Sequence, residues 1–193
     1  MNKTRLEAFS DGVLAIIITI MVLEIKVPHE ASLAALMELS SVFISYILSF
    51  FFVAIYWVNH HHLLHCITKV NSRILWANMG LLFTLSLVPF STGWMGENHY
   101  ASLPTTIYCV NLMCCGFAAG LLQAAISSDL PKENKIFMII KQNMTKTIFS
   151  VILNIISVVV SFWYPVISLG LTAVVSIIWV IPDKRVEQLM ENE

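Results

Sequence analysis

The chain has 193 residues, of which 58% are hydrophobic and 12% are charged, and its formal net charge is -1 at pH 7. Soluble domains carry about 25% charged residues, so this composition excludes a water-soluble globular protein and predicts an integral membrane protein. The charged residues form no basic run, which gives no support for a nucleic-acid partner.

The predicted elements are six transmembrane helices, because the chain contains apolar runs close to the roughly 20 residues that cross a bilayer. The longest uncharged run, 147–182, has 36 residues. It breaks at the aromatic sequence FWYP, where a proline ends one helix and opens the next. The sequence therefore predicts one all-α membrane domain, 1–193. In chain order its helices cover approximately residues 7–27, 39–60, 74–95, 102–128, 146–163 and 165–182.

The loop charges predict the orientation of these helices, because lysine and arginine concentrate on the cytoplasmic side of membrane proteins. With six spans and a cytoplasmic N-terminus, 10 of the 11 lysine and arginine residues fall in inner segments, and only Lys26 falls in an outer segment. Five or seven spans would spoil this alternation. Both termini are therefore predicted to face the cytoplasm.

The first helix carries charged residues at both ends of its apolar run. Between Asp11 and Glu24 lie 12 uncharged residues, about 18 Å of helix, whereas a hydrocarbon core is roughly 30 Å thick. At least one carboxylate must enter the interfacial zone or go deeper, where a charge is costly unless it is paired or touches water. Two interpretations stay open: the acids are interfacial anchors that cap the helix, or the helix lies inside a bundle beside polar partners or a water-filled path.

The apolar residues of this first helix do not by themselves select a functional face. Gly12, Ile16, Ile20 and Leu23 share one face, and Thr19 lies at its border. The helix is apolar all round, however, and aliphatic rows of this kind more often contact lipid or neighbouring helices than line a pore.

The segment RLEAFSDGVLAIIITIMVL resembles the signature of the prokaryotic homologues of the lysosomal/endosomal potassium channel. That family carries the motif R-x-x-x-F-S-D on its first helix, and Arg5, Phe9, Ser10 and Asp11 match it in full. The segments YWVNHH and RILWANMGLLF resemble the second- and third-helix stretches of the family more loosely. The resemblance implies a homotetramer in which four six-helix chains surround one central pore.

The resemblance also implies which residues line that pore. Bulky aliphatic side chains form the constriction of the family, and by their spacing after the motif these positions fall on Ile16, Ile20 and Leu23. Thr19 is then the polar neighbour of the narrowest ring. Near the outer end, four copies of Glu24 can raise the local cation concentration. The alternative for this glutamate is that it pairs with the nearby lysine or extends to the interface.

The motif itself is expected, from the resemblance, to tie the first helix to the second and third. Its charged members, Arg5 and Asp11, are then paired groups, and Trp57, His60 and Asn78 are their candidate partners. The whole implied network comprises Arg5, Phe9, Ser10, Asp11, Gly12, Trp57, His60 and Asn78.

Together these features predict a potassium-permeable cation channel with a hydrophobic constriction. The sequence has no TVGYG-like stretch, so selectivity through a cage of backbone carbonyls is excluded. The predicted partners are further copies of the chain, the lipid bilayer and monovalent cations, in the plasma membrane of a prokaryote, with no cofactor besides the permeant potassium ions. The alternative is a secondary transporter or proton-coupled carrier, although internal repeats and midplane helix breaks are not evident. An enzyme is not predicted, because no convincing nucleophile–base or metal constellation is present.

The sequence NHHHLLH near the end of the second predicted helix is a further candidate site. His61 and His65 are four residues apart, a spacing that can hold a metal ion. No cysteine, aspartate or glutamate in the same turn completes a ligand set, so a metal site is not predicted and a structural or proton-sensing role is favoured. His60, which follows Trp57 by three residues, is expected to be the most buried of the histidines.

Overall fold

The structure is a computed structural model that describes residues 2–65, 67, 69–130 and 144–180. Within these ranges the chain is helical and contains no strand. The helices are α1 (Lys3–Met21), α2 (Leu33–Glu38), α3 (Ser40–His65), α4 (Ser72–Ser86), α5 (Val88–Glu97), α6 (Ser102–Ser127), α7 (Met144–Ser161) and α8 (Pro165–Val180). A single 3₁₀ turn, Val22–Glu24, extends α1.

Four helical stretches in the described part of the chain are long and apolar enough to cross a membrane. They are Lys3–Glu24, Ser40–His65, Ser72–Glu97 and Ser102–Ser127, with mean hydropathies of 1.6 to 2.1. The last two helices are apolar but shorter, and the 18 residues of α7 extend over about 27 Å. The prediction of an all-α, multi-pass membrane protein is confirmed. The predicted end of the last helix at residue 182 lies outside the described residues.

Side-chain caps mark the beginnings of three helices. The side chain of Asn2 accepts the backbone N–H two residues later at the start of α1, and Ser32 and Asn71 each accept the N–H three residues later at the starts of α2 and α4. Each cap satisfies a backbone donor that has no partner inside the helix, and is worth about 1 kcal/mol. The short helix α2 was not among the predicted elements.

The third predicted span is interrupted in the structure. α4 ends at Ser86 and α5 begins at Val88, with Pro89 in the first turn of α5. Proline has no N–H to donate, and its ring clashes with the preceding turn of a helix. The sequence predicts one helix over 74–95, and the structure differs because the proline forces the backbone to restart.

α7 presents its polar side chains to the bundle and its apolar side chains to the outside. Ser157 and Ser161 are buried, whereas Ile155 and Val159 are 50% and 52% exposed. A helix in water would bury the aliphatic face instead. This arrangement is the one expected for a helix that contacts lipid tails, which are as apolar as the aliphatic side chains themselves.

Hydroxyl groups join the helices in the interior of the bundle. The Thr92 hydroxyl donates to Ser49 Oγ at 2.7 Å, and Ser49 Oγ lies 3.0 Å from the Tyr108 hydroxyl, which links α5, α3 and α6. The Ser157 hydroxyl donates to the Ser168 carbonyl at 2.9 Å and links α7 to α8. In a bilayer no hydrophobic driving force acts between helices, because the lipid tails are as apolar as the side chains. Helix association therefore depends on close packing of small residues and on interhelical hydrogen bonds such as these.

Candidate functional site

α1 has one packed face and one open face in the single chain. It lies against α3, α4 and α5, and on that side Leu14 and Met21 are each 1% exposed. On the opposite side the side chains of the predicted constriction are open, with exposed fractions of 57% for Ile16, 43% for Ile20 and 76% for Leu23. The packing therefore distinguishes two aliphatic faces that look alike in the sequence.

Thr19 lies on the open side of α1, between the predicted constriction residues. Its hydroxyl lies 2.9 Å from the Ala15 carbonyl oxygen and 3.0 Å from the Ile16 carbonyl oxygen, and it donates to the backbone of its own helix. Because the hydroxyl proton is engaged there, the oxygen lone pairs remain as the polar group on this face.

A buried series of hydrogen bonds ties the N-terminal half of α1 to α4 and α3. The Asn78 side-chain amide donates to Ser10 Oγ at 3.0 Å, and His60 Nε2 lies 2.7 Å from Asn78 Oδ1 and donates to it. Ser10 and Asn78 are 0% exposed and His60 is 5% exposed. The Ser10 hydroxyl donates in turn to the Leu6 carbonyl at 2.9 Å. Buried polar groups of this kind are costly to leave unpaired, so this series of hydrogen bonds fixes the position of α1 against α3 and α4.

The motif carboxylate of Asp11 is held by α3. Trp57 Nε1 donates to Asp11 Oδ1 at 2.8 Å, so one of the three candidate partners meets one of the two charged motif residues. Arg5 is exposed, and it makes no hydrogen bond or ion pair with any residue that the structure describes. Phe9 is 51% exposed, and a Cβ atom added to Gly12 would have open space around it.

Two further contacts of α1 were not predicted from the sequence. At its start, Lys3 Nζ donates to the His65 carbonyl, the last of α3, at 2.8 Å, and lies 3.8 Å from the Glu7 carboxylate. A lysine opposite an unpaired carbonyl at a helix end is a general pattern. The separation of 62 residues along the chain left no local sequence signal for this contact.

The second unpredicted contact lies just beyond the C-terminal end of α1. The Lys26 ammonium forms an ion pair with the Glu97 carboxylate at the end of α5, and this hydrogen bond raises the pKa of Lys26 above its ordinary value. The described ion pair of Lys26 is thus with Glu97 and not with Glu24. The Glu24 carboxylate instead lies against α5, where Oε2 would be 3.0 Å from a Cβ atom added to Gly93.

A groove of about 590 Å³ runs beside the C-terminal half of α1. Ile16 and Ile20 of α1 and Phe90 and Trp94 of α5 are among the residues that line it. Glu24 also lines the groove, together with the carboxylate at the end of α5, so acidic groups lie beside the C-terminal end of α1. Two of the three predicted constriction residues, Ile16 and Ile20, therefore border the same groove as Glu24, whereas Leu23 is not among its lining residues.

The histidine run divides into buried and accessible members. His60 is buried and bonded to α4, as described above, whereas the ring of His61 is exposed. Within the described ranges, no group of three or more histidine, cysteine, aspartate or glutamate side chains is placed to hold a metal ion.

Comparison with known proteins identifies the family. A family model described as the endosomal/lysosomal potassium channel TMEM175 matches residues 5–89, the part of the chain that supplies the anchors of α1. A potassium channel from Chryseobacterium sp. (strain P1-3) is 47% identical over 193 residues, which is 100% of both chains. The chain belongs to the TMEM175 family. TMEM175 is a family of ion channels and not of enzymes, and the family predicted from the first-helix motif is confirmed.

Other TMEM175-related proteins agree with this assignment. A potassium channel from Streptomyces collinus is 35% identical over 102 residues, which cover 50% of this chain and 50% of that protein. The crystal structure of a lysosomal potassium-selective channel TMEM175 homolog from Chamaesiphon minutus matches with a TM-score of 0.82 and 27% sequence identity. That match covers 92% of this chain and 96% of the other, so this chain has the fold of that channel protein.

Proposed function

We propose that this chain is the subunit of a potassium-permeable channel in which α1 lines the conduction path. The observation that carries the function is the 47% identity to a potassium channel over the full length of both proteins. The position of the path is supported by the open aliphatic face of α1 and by the groove beside it. The rest of α1 is held in the bundle, which leaves this face as the one available to a shared axis.

The constriction is formed by Ile16, Ile20 and Leu23 from each subunit. Aliphatic rings offer no oxygen ligands, so a cation must shed part of its hydration shell there, or the ring dries and blocks it. Potassium holds its water less tightly than sodium and therefore crosses more readily, with modest discrimination. Thr19 supplies an oxygen with free lone pairs beside the ring, since its proton is engaged with the helix backbone.

The same ring serves as the gate. Polar bonds at Ser10 and Asp11 anchor the inner part of α1, and the groove leaves space beside its outer half. A small rotation of the outer half, about the anchored inner part, widens the ring or dries it. The ion pair between Lys26 and Glu97 holds the other end of the moving part, and it is exposed and therefore weak enough to break.

We infer that the channel is a homotetramer of six-helix subunits in the plasma membrane of a prokaryote, with both termini in the cytoplasm. One α1 cannot enclose a path, so several copies of the single domain 1–193 are required. The number four follows from the resemblance of the first-helix motif to the family. The orientation is supported by the position of 10 of the 11 lysine and arginine residues on one side.

Potassium flux in proteoliposomes tests this function. The purified protein, reconstituted with an imposed potassium gradient, is expected to collapse that gradient without any coupled ion. A secondary transporter would require a second ion gradient, or would saturate at a low rate. Native mass spectrometry of the same preparation should give four chains of 21.7 kDa. A monomeric particle, or flux that depends on a proton or sodium gradient, would contradict the proposal.

Substitution of Ile16 by asparagine tests the position of the path. Ile16→Asn is expected to increase potassium flux and to reduce selectivity over sodium, because a polar side chain wets the ring. The matched control is Ile155→Asn on α7, whose side chain is similarly exposed in the single chain, at 50% against 57%. It is expected to leave flux per tetramer unchanged. Equal effects of the two substitutions, in tetramers of equal yield, would remove Ile16 from the path.

A further inference from the structure

We propose that His61 and His65 form a binding site for one divalent transition-metal ion at the end of α3. The two residues are one helical turn apart, and their ring centres are separated by 6.3 Å. A metal ion held by one nitrogen of each ring, at about 2 Å from each nitrogen and with a nitrogen–metal–nitrogen angle of about 90–110°, places the ring centres about 4.5–5 Å apart. A small rotamer adjustment therefore brings both imidazoles onto one ion.

The two rings are available for this role. His61 is exposed and His65 is half-buried, and neither ring makes a hydrogen bond with any residue that the structure describes. His60 is excluded as a ligand because its Nε2 is bonded to Asn78 and the ring is buried. The His62 ring also lies near His61, with 5.8 Å between ring centres and 67° between the ring planes. The assignment to His65 rests on helix geometry, since residues four apart share one face of a helix and adjacent residues do not, and the His62 variant described below tests it.

The charges around the site favour a cation. Asp11 lies beside the same end of α3 through its bond to Trp57, and the Trp57 ring is 6.4 Å from the His61 ring. Lys3 also approaches this end of α3, since its ammonium is bonded to the His65 carbonyl. The Glu7 carboxylate lies 3.8 Å from the same ammonium and offsets its charge.

The donor set defines the class of metal. Two imidazole nitrogens suit Cu²⁺, Ni²⁺, Co²⁺ and Zn²⁺, whereas Mg²⁺ and Ca²⁺ require oxygen ligands. No third histidine, cysteine or carboxylate of the described residues completes the shell, so water molecules occupy the other coordination positions. A shell of this kind exchanges its metal readily, in contrast to a closed structural site. The lack of a third protein ligand excludes a closed metal site, but an open site completed by water needs only the two histidines.

Copper binding to the purified full-length protein, prepared without a polyhistidine tag, tests the site. We expect one Cu²⁺ per chain, quenching of tryptophan fluorescence because of the nearby Trp57 ring, and an electron paramagnetic resonance spectrum with two nitrogen ligands. Affinities should follow the order Cu²⁺ above Ni²⁺ above Co²⁺, and excess Mg²⁺ or Ca²⁺ should not displace the ion. This test uses no ion flux, so its outcome is independent of the conduction proposal.

Two substitutions and two controls locate the ligands. His61→Gln and His65→Gln should each weaken Cu²⁺ binding by about tenfold or more. His29→Gln, in the loop after α1, and His62→Gln should leave it unchanged. Unchanged affinity in His61→Gln or His65→Gln, or a loss confined to His62→Gln, would overturn the assignment. A spectrum of the unsubstituted protein with a single nitrogen ligand would also overturn it, and that measurement does not depend on how well any variant folds.

Discussion

Asp11 shows how a carboxylate is accommodated at the edge of a membrane helix. The short uncharged run of α1 predicts that such a group needs a partner, and the resemblance to the family supplies three candidates. The structure places the Trp57 indole on this carboxylate at 2.8 Å, and it uses the other two candidates to hold Ser10. The need for a partner follows from desolvation, but the choice among partners depends on how α1 and α3 are packed.

The hydrogen bond from the Trp57 indole to Asp11 can be removed by a substitution that keeps an aromatic ring at this position. Trp57→Phe is expected to destabilise the protein by about 1 kcal/mol, because the Asp11 carboxylate loses a donor in a partly exposed site. This corresponds to a fall in Tm of about 2–4 °C, measured by thermal unfolding in detergent. The control is Trp76→Phe, since Trp76 is 74% exposed. An equal fall in both variants would show that the indole bond is not what anchors α1.

Lys26 illustrates a contact that the residues alone do not reveal. The sequence marks it as the basic residue that breaks the positive-inside bias, and it leaves open a pairing with the nearby Glu24. The observed partner, Glu97, is 71 residues away, and only the approach of α5 to the end of α1 brings the two together. Long-range pairs of this type follow from the fold and cannot be read from local spacing.

At the scale of the helix, α1 is the element on which sequence analysis reaches its limit. Leu14, Ile17 and Met21 are packed, whereas Ile16 and Ile20 are open, yet all five are aliphatic or nearly so. Hydrophobic periodicity selects a face only where polar and apolar residues alternate. The helix itself could therefore be predicted from its apolar length, but the functional face could not.

The close approach of α3 and α5 at Gly96 leads to a prediction at the same scale. A Cβ atom added to Gly96 would lie 2.9 Å from Val42 Cα and 3.1 Å from Ser45 Oγ. Backbone atoms cannot move aside cheaply, so Gly96→Ala is expected to destabilise the protein by about 1–3 kcal/mol. Thermal unfolding in detergent measures this change.

The matched control for this substitution is another helical glycine. A Cβ atom added to Gly80 on α4 would have no neighbour within 4 Å. Gly80→Ala should therefore be neutral, or stabilising by about 0.5–1 kcal/mol, because alanine is the better helix former. If Gly96→Ala unfolds at the same temperature as Gly80→Ala, α3 and α5 do not approach as closely as described.

At the scale of the whole molecule, the helical bundle could be predicted from the sequence more completely than the surface that would line a pore. Apolar run lengths indicate an all-α, multi-pass membrane protein, and Pro165 indicates where the last two helices separate. The break before Pro89 was not predicted, although it has the same cause. The open face of α1 has no counterpart within the chain, and its exposed isoleucines are of the same kind as those on α7. One subunit therefore does not distinguish an axis-facing surface from a lipid-facing one.

The proposed role of Glu24 at the outer mouth can be tested only in the assembled channel. Glu24 lines the groove beside α1, and four copies around an axis would concentrate cations at the entrance. Glu24→Gln is expected to reduce potassium conductance by up to about tenfold at about 10 mM ionic strength, where the Debye length is about 30 Å. At about 1 M salt the Debye length is about 3 Å, and the substituted and unsubstituted channels should conduct alike.

The control is Glu38→Gln, an equal charge change at the exposed end of α2, which should have a smaller effect at low salt. Because screening acts on the field and not on the shape of the pore, a loss of conductance in Glu24→Gln that persists at high salt would mean that this carboxylate supports the structure of α1 rather than the supply of ions.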